Sequence, residues 1–348
     1  MQLNRRSLMT SALTLGAMHA FPGLSHAQAK RLVFATFTGS WEEAAKDVLV
    51  PAFRKANGNA EITLDPMLSM DQIAKVKAAQ NNPPIDVMLH DPGPALIAID
   101  QGLVEPFPVA TSEHYKDLIA DAQVETGPAP FFQVVGITYN PDKIKTPPTS
   151  WNDIWSPEYK GRVGITNLNS TLGTGWLVEI ARMRGGSEAN VDAGFKAIEE
   201  LKPNLAAVAS NPGALATLYQ QGQIDIGPGN FNAIQILKAR GVPVEFVAPK
   251  EGAIAFKTTM HIVKNSPNTA LAANLIDAAL SPEVQAKLME SPYLIVPTNT
   301  KVKMAGEIAK VLVKDHAEMT SKFKFQDWKK INESRAGWID KFNRDIKL

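Results

Sequence analysis

The chain reads as an α/β protein with mixed, mostly parallel sheets. Two observations predict this class. Short apolar runs alternate with helical patterns over most of the 348 residues, and the joints between them are rich in Gly, Ser, Thr and Asn. RLVFATFT (31–38) is a buried strand, and SWEEAAKDVLVPAFRKANG is the helix after it, with Ser40 and Glu43 in capping-box spacing and Gly58 as the stop. EITLDP is the next strand. SMDQIAKVKAAQ repeats the capping spacing through Ser69 and Gln72, and IDVMLHD and PALIAIDQG continue the alternation. After FFQVVGITYN come the strand GRVGITN, the helices TGWLVEIARMRGG and VDAGFKAIEELK, and the strand LAAVAS. NPGALATLYQQG then opens a helix with Asn211 at the N-cap and Pro212 at N1. IDIGPG precedes the helix NFNAIQILKARG, VPVEFVAP precedes the turn-and-strand PKEGAIAFKTTMHIVK, and residues 266–348 are mostly helical around PYLIVPTN.

Composition narrows the function. Thirty-six Lys and Arg against 35 Asp and Glu give no basic field for nucleic acid, and no strong attraction to an anionic membrane. With no cysteine, disulfides, thiolate catalysis and Cys-ligated metals are excluded. MQLNRRSLM, the apolar run to Leu24 and the small-x-small Ser25-His26-Ala27 read as an export signal over residues 1–27. NRRSLM resembles a twin-arginine signal, although ordinary secretion signals also carry paired arginines. Cleavage near Ala27 removes two arginines and no acid, leaving 34 basic against 35 acidic residues. The expected product is a soluble periplasmic protein, because no later run approaches the roughly 18–20 apolar residues of a membrane span.

Enzyme signatures are missing: there is no G-x-S-x-G, H-E-x-x-H or Walker loop, and GPGNFN (227–232) lacks the third glycine of a dinucleotide fingerprint. His90-Asp91 ends a strand, but neighbouring strand residues face opposite ways, so the two do not read as one dyad, and the favoured reading is a turn with Asp91 capping the next helix. No catalytic residue, metal ligand or cofactor is assigned. Four strand-to-helix corners remain: TFTGSW, LHDPG, NSTLGTG and GPGNF. In open α/β sheets ligands sit at such strand ends, where helix N-termini present free N–H groups, so four together favour a binding cleft. Trp176 reads as core, and Trp41 is left open.

PPTSWNDIWSPEYKGRVGI, GITYNPDKI, ARGVPVEFVAPKEGA and NTALAANLIDAALSPEVQAKL resemble the spermidine/putrescine-type solute-binding proteins of bacterial ABC transporters, from about residue 31 to the C-terminus. The resemblance implies a two-lobed, type II periplasmic-binding-protein fold with hinge crossover strands. It places lobe one at 28–134 plus 257–300 and lobe two at 135–256 plus 301–348, with Gly136, Glu251 and Gly252 as hinge residues. The implied partners are a small-molecule solute and an inner-membrane permease, with the protein acting as a monomer.

In the polyamine binders the strand after P-K-E-G carries a tryptophan and an aspartate that take the amine. Here those positions are Phe256 and Thr258, flanking Lys257; a second amine-stacking tryptophan aligns with Asn230, and the acidic stretch corresponds to NLNSTLG. A buried ammonium without a carboxylate costs several kcal/mol, so a polyamine is disfavoured. The five tyrosines are dispersed, unlike the clustered tyrosines of ferric-iron binders. The corners suit a small anionic or zwitterionic organic solute. The expected contacts are Thr38, Gly39, Ser40, Trp41, His90, Asp91, Ser170, Thr171, Gly173, Thr174, Asn230, Phe256 and Thr258. Polyamine or iron binding by the same fold is the alternative. An extracytoplasmic enzyme, recruiting His90, Asp91 or Glu251, is a further one, and a receptor reporting to a membrane sensor would bind in the same way.

Overall fold

A computed structural model of the chain describes residues 31–58 and 60–346. The export-signal reading of residues 1–27 lies outside them. The strands are β1 (Arg31–Ala35), β2 (Glu61–Leu64), β3 (Val87–His90), β4 (Val104–Glu105), β5 (Phe131–Tyr139), β6 (Val163–Thr166), β7 (Leu205–Ala209), β8 (Ile226–Asn230), β9 (Glu245–Val247), β10 (Ala253–Val263), β11 (Val296–Pro297) and β12 (Phe323–Lys324). The helices are α1 (Ser40–Ala44), α2 (Val50–Ala56), α3 (Ser69–Ala78), α4 (Pro92–Asp100), α5 (Thr171–Met183), α6 (Asp192–Leu201), α7 (Pro212–Gln220), α8 (Phe231–Ala239), α9 (Thr269–Leu280), α10 (Pro282–Met289), α11 (His316–Lys322) and α12 (Trp328–Asp345).

The main sheet runs β2-β1-β3-β10-β5-β8-β6-β7. Its two flanks, β2-β1-β3 and β8-β6-β7, are parallel, as the alternation with helices demands. Between them the two longest strands pair antiparallel to their neighbours. β10 changes partner along its length: Ile254–Thr258 pair with Val135–Phe131, and Thr259–Ile262 pair with His90–Val87. β5 likewise takes β10 along its first half and β8 along Val135–Tyr139. Both strands are buried almost throughout, which explains why they read as continuous apolar runs without alternation.

Separate apolar cores flank this middle. One packs β1, β3 and the second half of β10 on α9 and α10, through Leu32, Phe34, Leu89, Met260, Leu275 and Leu288. Another packs β5 and β6 on α5, α6 and α12, through Ile137, Ile165, Trp176, Phe195 and Trp338. Trp176 is 1% exposed and stacks on Trp155, in agreement with its reading as core.

Local signals were obeyed at some helix starts and overridden at others. Asn211 accepts from the Ala214 N–H and Pro212 occupies the first turn, as expected. The two capping boxes do not form. α1 starts at Ser40 behind Gly39, whose φ of 70° is open to glycine, and the Ser40 hydroxyl accepts from Asn232 instead. α3 starts at Ser69, whose hydroxyl accepts from the Asp91 N–H, while the Gln72 carbonyl accepts from the Leu89 N–H. In each case a distant partner replaces the helix's own N–H groups. The glycines of GPGNFN are packing residues: a Cβ at Gly227 would meet the Gly164 carbonyl on β6, and one at Gly229 the Thr138 hydroxyl on β5.

Candidate functional site

The ends of β1, β3, β6, β7 and β8 open onto one cleft enclosing about 200 Å³. Each of the four glycine- and hydroxyl-rich corners contributes to its wall: Thr38, Gly39, Ser40 and Trp41 from the first, Asp91 from the second, Ser170 and Thr171 from the third, and Asn230 from the fourth. Phe256 closes one side from β10. Trp41, buried against Phe37 and Phe131, supplies an aromatic wall. The first turns of α5 and α8 face the same space; Ser170 caps α5 by accepting from the Leu172 N–H, whereas α8 has no side-chain cap.

Four expected contact residues stand behind the wall. His90 is fully buried with its ring 5.4 Å from that of His261, because alternation along β3 turns it away from the face that presents Asp91. Thr258 is also fully buried, its hydroxyl accepting from Gln133 at 3.1 Å. Gly173 packs against the Asn167 and Thr166 carbonyls. Thr174 donates to the Leu168 carbonyl and accepts from Arg335 Nε, so it shapes the NLNSTLG corner from beneath.

Sequence reasoning missed Gln133, which organises the floor of the cleft. Its Nε2 donates to Asp91 Oδ1 at 2.6 Å, and its Oε1 accepts from Asn230 Nδ2 at 3.2 Å. An amide amid the apolar FFQVVG was the available signal. Asn232, two residues past Asn230, also lines the cleft and donates to Ser40 at 3.1 Å. At the rim, Arg240 NH2 lies 2.6 Å from Glu43 Oε2, tying the chain after α8 to α1. Arg335, on α12, is 5% exposed and donates to the Leu168 and Asn169 carbonyls.

Asp91 is the only carboxylate on the inner wall among the described residues; Glu43, at the rim, is paired. Partial burial in the cleft wall desolvates Asp91 and pushes its carboxyl up; hydrogen bonds from Thr171 and Gln133 and the charge of Arg335 offset part of that rise. Burial also lowers both histidines behind the wall, His90 well below its ordinary value and His261 to about 4. His261 bonds Thr259 and the Thr126 carbonyl, whereas neither ring nitrogen of His90 has a partner.

A cleft at converging strand ends, with strands crossing between two cores, is a solute-binding geometry. The chain belongs to the family described as bacterial extracellular solute-binding protein, which matches residues 82–334. It is 30% identical over 150 residues to the spermidine/putrescine-binding periplasmic protein of Escherichia coli, covering 41% of each chain. It is 25% identical over 292 residues to the gamma-aminobutyric acid-binding protein of Pseudomonas aeruginosa, covering 79% of each. The solved periplasmic binding protein of Actinobacillus pleuropneumoniae with fructose-6-phosphate bound superposes with a TM-score of 0.76 at 22% identity, over 92% of this chain and 100% of that one. The fold is thus that of type II periplasmic binding proteins, and the protein is an ABC-transporter solute-binding protein. Such proteins deliver ligand to a membrane permease. The relatives' solutes are chemically unlike, so the family does not select the solute.

Proposed function

We propose that this protein captures a small anionic or zwitterionic organic solute, not a polyamine, in the periplasm and hands it to an inner-membrane permease. The observation that carries this reading is the chemistry of the inner wall. Where polyamine binders place tryptophan and aspartate, this chain has Phe256, Asn230 and a Thr258 whose hydroxyl is bonded to Gln133. A single carboxylate, Asp91, therefore faces a solute, too few for the separate ammonium groups of a polyamine. The first turns of α5 and α8 favour an anionic group by about 0.3–1 kcal/mol each. None of the five tyrosines lines the cleft, which argues for this reading over ferric iron.

Capture works by hinge closure of two lobes, 28–134 plus 257–300 and 135–256 plus 301–348. The partner switches within β5 and β10 support these boundaries, since a strand shared by two cores is where a rotation is absorbed. Gly136, Glu251 and Gly252 flank the two crossings. The contacts to the solute come from Thr38, Gly39, Ser40, Trp41, Asp91, Ser170, Thr171, Asn230 and Phe256, with His90, Gly173, Thr174 and Thr258 supporting them from behind. The protein works as an exported monomer, its signal removed near Ala27, and binds without turnover. Calorimetry of refolded, ligand-free protein against acids, phosphates, polyols and spermidine tests this. Binding of an acid or amino acid without spermidine binding is expected; tight spermidine binding with silence from every acid would overturn it.

A further inference from the structure

We propose that the cleft holds a cationic nitrogen of its solute against the Asp91 carboxylate, which makes the solute an amino-carboxylate or amino-phosphonate zwitterion. This rests on the anionic-or-zwitterionic reading above and selects within it.

The charges on the wall come first. Its ionisable residues are Asp91, Glu43 and Arg240, and the last two are paired with each other at the rim. Asp91 has no cation beside it on the wall. Arg335, whose charge reaches it, is bonded to Thr174 and to two backbone carbonyls. A simple anion or polyanion would thus meet a carboxylate with no cation beside it on the wall, and no free arginine or lysine among the described lining residues.

The hydrogen bonds point the same way. The Gln133 amide turns its nitrogen to Asp91 and its oxygen to Asn230, the orientation that an accepting carboxylate requires. Asn230 must then donate to Gln133, which leaves its own carbonyl oxygen without a partner. Asn232 donates to Ser40, and its carbonyl oxygen is likewise unpartnered. Both asparagines line the cleft, 5% and 4% exposed. Both oxygens are sealed from solvent, so each is a buried acceptor without a donor behind the wall, a costly arrangement. An ammonium offers three donors and one positive charge, which meets the Asp91 carboxylate on the wall. The acid end of the same molecule then faces the first turns of α5 and α8.

The test is calorimetry of the refolded, ligand-free protein with matched pairs: ω-amino carboxylates of two to six carbons and 2-aminoethylphosphonate, each against the same acid without the amine. At least one amino compound should bind about tenfold or more tighter than its des-amino partner, a gap of about 1.4 kcal/mol. Asp91→Asn, checked for folding by thermal melting, should close most of that gap. The wild-type comparison decides the proposal even if the variant does not fold. Equal binding of both members of every pair, or an unchanged gap in folded Asp91→Asn, overturns the ammonium assignment and leaves the anionic-solute reading standing. Spermidine and a neutral polyol are run alongside, and silence from all acids and amino acids with binding of either overturns both readings. Silence from every probe with folded protein overturns the ammonium assignment.

Discussion

Gln133 donates to the Asp91 carboxylate at 2.6 Å, joining β5 to the strand end on the cleft wall. The same side chain touches Asn230 and Thr258, so one amide sets the orientation of three polar groups. Gln133→Leu keeps the apolar bulk and removes every partner. The protein should lose about 1–3 kcal/mol of stability, the cost of stranding buried polar groups, and bind its solute more weakly. Denaturant unfolding checks the first and calorimetry the second; a change below about 0.5 kcal/mol would deny Gln133 this role.

The Glu43–Arg240 pair bridges the cleft mouth, but its side chains are 40% and 52% exposed. Exposed pairs contribute only about 0.2–1 kcal/mol. Arg240→Glu should hardly alter the melting temperature, yet speed solute release by up to roughly fivefold by replacing attraction with repulsion across the mouth. The swap Glu43→Arg with Arg240→Glu should restore slow release in stopped-flow. Additive effects of the two changes would contradict a latch.

The buried histidines predict acid sensitivity with a definite sign. Burial lowers His261 to about 4 and His90 well below its ordinary value, so the unfolded chain binds their protons more readily than the folded one. Stability is therefore full above the unfolded value near 6.5 and falls with pH toward 4, at up to about 1.4 kcal/mol per pH unit per histidine. Asp91 and Glu179, both pushed up by burial, contribute in the opposite direction as pH drops, and soften the slope near its lower end. Unfolding midpoints measured from pH 7 to 4.5 should fall steadily, and His90→Asn should flatten the curve. A flat wild-type curve would contradict burial of two neutral imidazoles.

Glu251 accepts from the Ser150 hydroxyl at 2.5 Å and from the Trp151 N–H at 3.2 Å, so it anchors the turn that carries WNDIW to the start of β10. Glu251→Ala should cost about 1–3 kcal/mol without touching the cleft, leaving solute affinity within about twofold. A large loss of affinity in a stable Glu251→Ala protein would give this residue a part in closure beyond anchoring.

The alternation of strands and helices, the Asn211 cap and all four cleft corners were legible because each is a local pattern. What failed was local preference set against distant partners. Ser40 and Ser69 have the spacing of caps, yet Asn232 and the Asp91 N–H claim their hydroxyls. Gln133 escaped notice because strand ends, not strand middles, advertise a site, and only the antiparallel pairing of β5 brings it beside Thr258 and Asn230. Arg335 lies more than 160 residues from the carbonyls it holds, and no periodicity encodes that meeting. His90 drew attention through its neighbour; the alternation that should have separated the two also explains why one is core and the other wall.

The most direct test of the central claim is native mass spectrometry of the protein purified without refolding, followed by identification of whatever it retains. The account predicts a small solute carrying both an acidic group and an amine, and its loss from Asp91→Asn. Retained spermidine or putrescine would contradict it.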